Sequence, residues 1–279
     1  MAMISGVQAL RAAAARALAL GRGPAGAQPA ARRGYAAAGA ATVTKEQLRT
    51  GGMLEWRTYT LRPDGQVPFH ARAGGEGAAL RKELFPNWLG FFTCDVGGPL
   101  TAVHHLYHWP DMVERQRVRG AATQDERWQR YLTDTRWAVQ AQEAAIFKPA
   151  VSVIEAGGGV GIEHFCPSPS ESPIYELRTY QLHPGYDSVP KLVDYFVQGL
   201  PHKVAADSNS ELAFFGFVDV GMLNTVIELW RYPSAQASIA AREASRKVPE
   251  WKQAIGNVTP IVQHFRSQVL VPTAYSPLK

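Results

Sequence analysis

Strand-like and helix-like patterns of apolar residues each occur twice along this chain. Residues 54–61 and 175–182 are rich in β-formers and stop at a proline, which predicts strands. Residues 88–96 and 100–109 predict a hairpin turning at Gly97-Gly98-Pro99, and residues 214–220 and 223–232 predict a second turning at Gly221. Val189, Leu192, Val193, Phe196 and Leu200 recur at helical spacing and predict a helix over 189–206. The matching stretch of the first half holds Gly74, Gly75 and Gly77, so its helix is expected to be short or broken. Polar, arginine-rich helices carrying Trp128 and Trp251 follow Pro110 and Pro233, and last strands are expected near 146–154 and 266–271.

The doubling extends to single residues. Glu55-Trp56-Arg57-Thr58-Tyr59-Thr60-Leu61-Arg62-Pro63 returns as Glu176-Leu177-Arg178-Thr179-Tyr180-Gln181-Leu182-His183-Pro184. From Leu100 onward one register pairs Val103 with Val226, Leu106 with Leu229, Arg119 with Arg242, Trp128 with Trp251 and Pro149 with Pro272. Two copies of one unit are therefore expected, at 51–155 and 173–279. The segment 156–172 between them, with Gly157-Gly158-Gly159, Pro167 and Pro169, reads as an exposed linker. Strand–helix–strand–strand–helix–strand is the ferredoxin-like order. One such sheet leaves a face uncovered. The expected fold is thus α+β, with two tandem ferredoxin-like (βαββαβ) units closing into an intramolecular barrel of the dimeric α/β type.

Charge changes the picture only at the start of the chain. The formal net charge is +5, yet five arginines and no acid precede Ala36, and the remainder holds 24 basic and 24 acidic side chains. A nucleic-acid footprint is not expected of a neutral body. Residues 1–41 are alanine-rich, arginine-bearing and free of acid, the composition of a mitochondrial targeting leader, with Arg33-Gly34-Tyr35-Ala36 resembling a processing site. No run approaches the roughly 20 uncharged apolar residues of a membrane helix. With 46% hydrophobic and 19% charged residues, general disorder is excluded. Two cysteines are too few for a disulfide scaffold or a thiolate zinc site: Cys94 is expected to be buried and Cys166 exposed.

Candidate site residues come from the repeat. Alternation puts Glu55, Arg57 and Tyr59 on one strand face and Glu176, Arg178 and Tyr180 on its equivalent. Lining a barrel, they would orient a polar ligand; as self-neutralising pairs they would fix register between the halves, the reading favoured because buried charges must be paired. His104 and His108 share a face and stand about 13 Å apart, too far for one metal ion. His105 points the other way and, if inward, is a candidate axial haem ligand. Because Ile227, Glu228 and Arg231 replace these histidines in the second unit, a structural role is preferred. Arg119 and Arg242 are candidate partner contacts, against the alternative of pairing with an acid beside buried tryptophans. No catalytic residue, metal site or cofactor is expected, since triad, P-loop and dinucleotide signatures are absent.

The motif residues Glu176, Arg178, Thr179, Tyr180, Leu182, Pro184 and Gly185, then Leu223, Asn224, Val226 and Trp230, resemble those of the NipSnap family. The ending from Pro272 to Lys279 is similar to that of animal members of its third type. In the first unit Asp64 intrudes before Gly65 and Thr101 stands for the asparagine. The resemblance implies a dimeric-α/β-barrel fold and a mostly mitochondrial location, with the cytosol for some third-type members; the matrix is expected here, with the cytosol as the alternative. It implies non-enzymatic roles in binding partner proteins, marking damaged mitochondria for autophagy, and vesicular traffic. The expectation is an adaptor with protein partners, open to homo-oligomers and peripheral membrane contact. The alternative is a barrel carrier or oxygenase for haem or a quinone-like ligand.

Overall fold

The computed structural model describes residues 52–279, so the expected leader at 1–41 lies outside the described residues. The first unit runs β1 (Met53–Leu61), α1 (Gln66–Gly74), α2 (Glu76–Leu84), β2 (Trp88–Val96), β3 (Ala102–Trp109), α3 (Met112–Ala122), α4 (Glu126–Thr135) and β4 (Val139–Pro149). A short helix α5 (Val151–Ala156) follows. The second unit runs β5 (Ile174–Leu182), α6 (Ser188–Ala205), β6 (Glu211–Val220), β7 (Thr225–Tyr232), α7 (Ala235–Ser245), α8 (Pro249–Val258) and β8 (Val262–Pro272). All strands pair antiparallel and close into one barrel in the order β1-β3-β2-β8-β5-β7-β6-β4. The halves meet along two seams, β2 with β8 and β4 with β6.

Each sheet buries both faces, which splits the core into three. The lumen is filled by Leu54, Trp56, Phe92, Leu106, Phe147, Tyr175, Leu177, Phe214, Leu229 and Leu270, drawn from both units. The outer faces pack against helices, the first under α1–α4 with Phe69, Phe91, Tyr107 and Trp128, the second under α6–α8 with Phe196, Phe215, Trp230 and Trp251. Two glycines let these helices touch without side chains between them. A Cβ on Gly77 would lie 2.7 Å from the Tyr131 ring, and one on Gly199 would lie 2.4 Å from Ala254. The glycine-bearing first-unit stretch is indeed broken, between α1 and α2 at Gly75, whereas α6 is continuous over 18 residues.

Asn224 gives the Leu-Asn motif a physical meaning. It adopts φ of 61° in the turn before β7, and its side-chain amide donates to the carbonyls of Gly185 (2.7 Å) and His183 (3.3 Å). The asparagine tolerates the left-handed backbone and ties the turn to the loop after β5.

Three expectations are corrected. The last strand of the first unit is β4, Val139–Pro149, and most of 146–154 beyond Pro149 is the helix α5. From Gln140 to Ala144 both strand faces are exposed, so this stretch lacks the apolar alternation that marks a strand. Each arginine-rich helix is a pair, α3 with α4 and α7 with α8. The linker is not simply exposed: Ile162 is buried in the lumen core, with Phe165 packed against it. Arg231 closes the same end, stacking over the Phe165 ring at 4.1 Å and donating to the carbonyl of Cys166.

The C-terminal segment completes this end of the barrel. Leu278 joins the lumen core, and its N–H donates to the Leu89 carbonyl at 3.0 Å. Leu278→Ala should therefore cost about 2–4 kcal/mol, the ordinary loss for a core leucine. Urea unfolding measures this, and a loss below about 0.5 kcal/mol would contradict the packing.

Candidate functional site

The polar residues picked out by the repeat lie outside the barrel lumen, between each sheet and its helices. Pairing of β1 with β3 sets Glu55 opposite Tyr107, Arg57 opposite His105 and Tyr59 opposite Val103. Leu54 and Trp56, in the other phase of the same strand, point into the lumen. A one-residue slip would exchange the two sets, so the apolar filling of the lumen dictates which charges meet the helices. Glu55, Arg57, Tyr59, Glu176, Arg178, Tyr180 and His105 are thus corrected from barrel-lining to helix-facing. Each Glu/Arg pair lies within one strand and does not set register between the halves; Arg115 and Arg119 of α3 and Arg242 of α7 tie the carboxylates to the helices.

In the first unit everything converges on Glu55, which is fully buried. Arg115 donates through Nε (3.0 Å) and Nη2 (2.9 Å), Arg119 through Nε (3.1 Å) and Nη2 (2.9 Å), Arg57 through Nη1 (3.1 Å) and Trp109 through Nε1 (2.8 Å). Burial alone would raise the Glu55 pKa, but the Arg115, Arg119 and Arg57 guanidiniums win and hold it near 2. Arg119 also stacks over Tyr107 at 4.9 Å. Deeper, Arg81 donates to the Tyr131 hydroxyl at 3.3 Å and sits over Phe91, Trp128 and Tyr131. His105 lies against Phe91 and Tyr59, and burial, reinforced by Arg81 and Arg57, pushes its pKa well below the usual value.

The second unit repeats the plan with different charges. Arg178 donates to Glu176 at 2.9 Å and stands 3.5 Å from Glu228. Glu228 replaces His105 and accepts from the Tyr180 hydroxyl (2.6 Å) and Trp230 Nε1 (2.7 Å). Burial, with the Glu228 carboxylate adding to it, holds the Tyr180 phenol well above its ordinary range. Lys203 occupies the place of Arg81, its Nζ 3.6 Å from the Trp230 ring centre and 4.9 Å from that of Trp251, with no hydrogen-bond acceptor. Burial lowers its pKa to about 7, further than Glu228 and Glu176 can offset.

Arg119 and Arg242 turn towards the strand carboxylates, Arg242 standing 3.7 Å from Glu176, and do not project as partner contacts. His104, the histidine that does face the lumen, meets Trp56 Nε1 at 3.1 Å and Thr58 Oγ1 at 3.0 Å, and burial lowers its pKa to about 4. Sequence reading missed Arg81, Arg115, Lys203 and Glu228 as members of these clusters. Lys203 carried a signal, a cation on the apolar stripe of Leu192, Phe196 and Leu200.

A NIPSNAP profile matches residues 54–152 and again 175–277. The chain belongs to the NIPSNAP family. Mouse NipSnap homolog 3B is 26% identical over 242 residues, covering 85% of this chain and 90% of its own length. Human NipSnap homolog 3A is 25% identical over 237 residues, covering 82% and 87%. A monooxygenase-like protein of Fusobacterium nucleatum superposes with a TM-score of 0.57 at 8% identity, covering 81% of this chain and 94% of its own. At that identity the likeness concerns the fold, the dimeric α/β barrel, which this NIPSNAP chain builds from its own two units.

Two outcomes follow from the charge pairs. Glu55→Gln leaves three guanidiniums facing a neutral amide and should cost about 3–5 kcal/mol, more than Glu176→Gln, which leaves fewer unpaired cations. The Glu55 contribution is present above its ordinary pKa of 4.5 and is lost as pH falls towards 2, so acid unfolding should shift in that window for the variant. An acid titration unchanged by Glu55→Gln would contradict it. Lys203, depressed from 10.5 to about 7, destabilises the fold most below pH 7, and stability should rise with pH between the two values. Lys203→Met should flatten that rise in unfolding titrations; an unaltered slope would contradict the burial described.

Proposed function

We propose that this NIPSNAP chain is a non-enzymatic mitochondrial binding or adaptor protein, acting in mitochondrial quality control or vesicular traffic. The filled lumen is the observation that carries this reading. Trp56, Phe92, Phe147, Tyr175 and Phe214 occupy the space where a barrel carrier would hold its ligand. The cavity at its edge, lined by Pro149, Ile162 and Phe214, measures about 10 Å³, room for one water. Glu55, Arg119, Glu176 and Arg178 have one another as partners, as a scaffold requires. Among the described residues no helix is long and apolar enough to cross a membrane. The acid-free composition of residues 1–41 supports the mitochondrial address, and the adaptor class is what the resemblance to the NipSnap family implies.

Two measurements test the reading. Residues 1–41 fused to a fluorescent protein should enter mitochondria, and a diffuse cytosolic signal would overturn the address. Haemin titration of the protein should give no saturable Soret band. A saturable band that weakens in His105→Ala or His104→Ala would overturn the adaptor in favour of a ligand carrier.

A further inference from the structure

The two units differ most in the charge balance of their sheet–helix clusters. In the first, three guanidiniums, Arg57, Arg115 and Arg119, gather around one carboxylate, Glu55, and a fourth, Arg81, lies deeper, where it acts on His105. Among the described residues Arg81 forms no ion pair. In the second unit the repeat register puts Ser238 where the first has Arg115 and Glu228 where it has His105. There Arg178, Arg242 and Lys203 face Glu176 and Glu228, with Asp207 adding a further negative charge near Lys203. The second cluster is balanced within itself. The first is not.

An excess of positive charge is costly to bury without an anion. Two buried nitrogens within the first cluster, Arg81 Nε and His105 Nε2, have no hydrogen-bond partner. Tyr59 links His105 to the outer guanidiniums: its ring lies 4.5 Å from His105, and Arg57 Nη2 donates to its hydroxyl at 3.5 Å. The outer three reach solvent, with 19% of the Arg57 side chain, 21% of Arg115 and 23% of Arg119 exposed, while Glu55 beneath them is at 0%. Arg115 and Arg119 spend their Nε–Nη2 edges on Glu55, so an anion approaching from solvent meets their remaining Nη1 groups, with Arg57 beside them. Those three arginines exceed Glu55 by two charges, and Arg81 adds to the field from behind.

We propose that the Arg57–Arg115–Arg119 face of the first unit binds the phosphate of a phosphate monoester, a role for which the second unit lacks the residues. A monoester carries a charge of about −1.5 to −2 at neutral pH, which matches the excess, whereas a single carboxylate leaves half of it unbalanced. Guanidiniums donate strongly to phosphate oxygens, and the N–H groups that Glu55 leaves free on Arg115 and Arg119, with the Arg57 charge beside them, would hold such a group. The surrounding rings of Tyr59, Tyr107 and Trp109 exclude water from the inner side of the site.

The test is thermal unfolding of the full chain at constant ionic strength, titrated with inorganic phosphate, glycerol phosphate or acetate. Phosphate and glycerol phosphate should raise the Tm saturably, as expected for a ligand of the native state, and acetate should not. Arg115→Gln should weaken the apparent affinity at least about ten-fold, the equivalent of about 1.4 kcal/mol. Arg242→Gln, in the second unit, should leave it unchanged. Arg57→Gln provides the same readout if Arg115→Gln does not fold, as judged by circular dichroism. His105→Glu, which installs the second unit's carboxylate, should abolish the response while raising the Tm in phosphate-free buffer. Sedimentation with phosphatidylcholine vesicles, with and without phosphatidic acid, separates the sources: co-sedimentation dependent on phosphatidic acid and on Arg115 assigns a lipid headgroup, and its absence beside a soluble response assigns a free ester. No saturable response to phosphate, an equal response to acetate, or an undiminished response in both arginine variants would overturn the proposal.

Discussion

Everything in this fold depends on closing two apolar sheet faces against each other. Each ferredoxin-like unit covers one face of its four strands with helices and leaves the other bare. The bare faces carry Leu54, Trp56, Phe92 and Leu106 in one unit and Tyr175, Leu177, Phe214 and Leu229 in the other. Exposed, such surfaces would drive association, because burial of apolar area is the dominant favourable term in folding. Joining both units in one chain makes their closure intramolecular, with β2 pairing β8 and β4 pairing β6. The connecting segment adds Ile162 and the C-terminal segment adds Leu278 to the same core.

That closure also decides where the charges go. With one phase of every strand committed to the lumen, the opposite phase must meet the helices, and the strand residues Glu55, Arg57, Glu176 and Arg178 are carried there whatever their polarity. Arginines on α3 and α7 then become necessary partners for the carboxylates. The resulting clusters gather buried charge, and they differ between the units: His105, Arg81 and Arg115 in one place, Glu228, Lys203 and Ser238 in the other.

Much of this was legible in the sequence. The offset repeat fixed two units, the proline stops fixed β1 and β5, and the glycines at 74–77 marked the helix break. The side of the sheet that Glu55 and His105 face was not legible, because alternation defines two faces without saying which is the lumen. It takes the partners, Arg115 from α3 and the lumen-filling Trp56, to tell them apart. The first half of β4 was missed because Gln140–Ala144 is exposed on both faces. Ile162 was missed because its glycine-rich and proline-rich surroundings look like solvent-facing chain, and nothing local signals that an isoleucine there plugs a barrel formed by strands on either side.

The most direct measurement is to produce residues 52–155 and 173–279 as separate chains and follow each by circular dichroism and sedimentation, alone and mixed. Mutual burial of the two sheet faces predicts that neither chain alone is a cooperatively folding monomer, and that an equimolar mixture regains a 1:1 complex with a sharp unfolding transition. Two halves that each fold as stable monomers and ignore one another would contradict it.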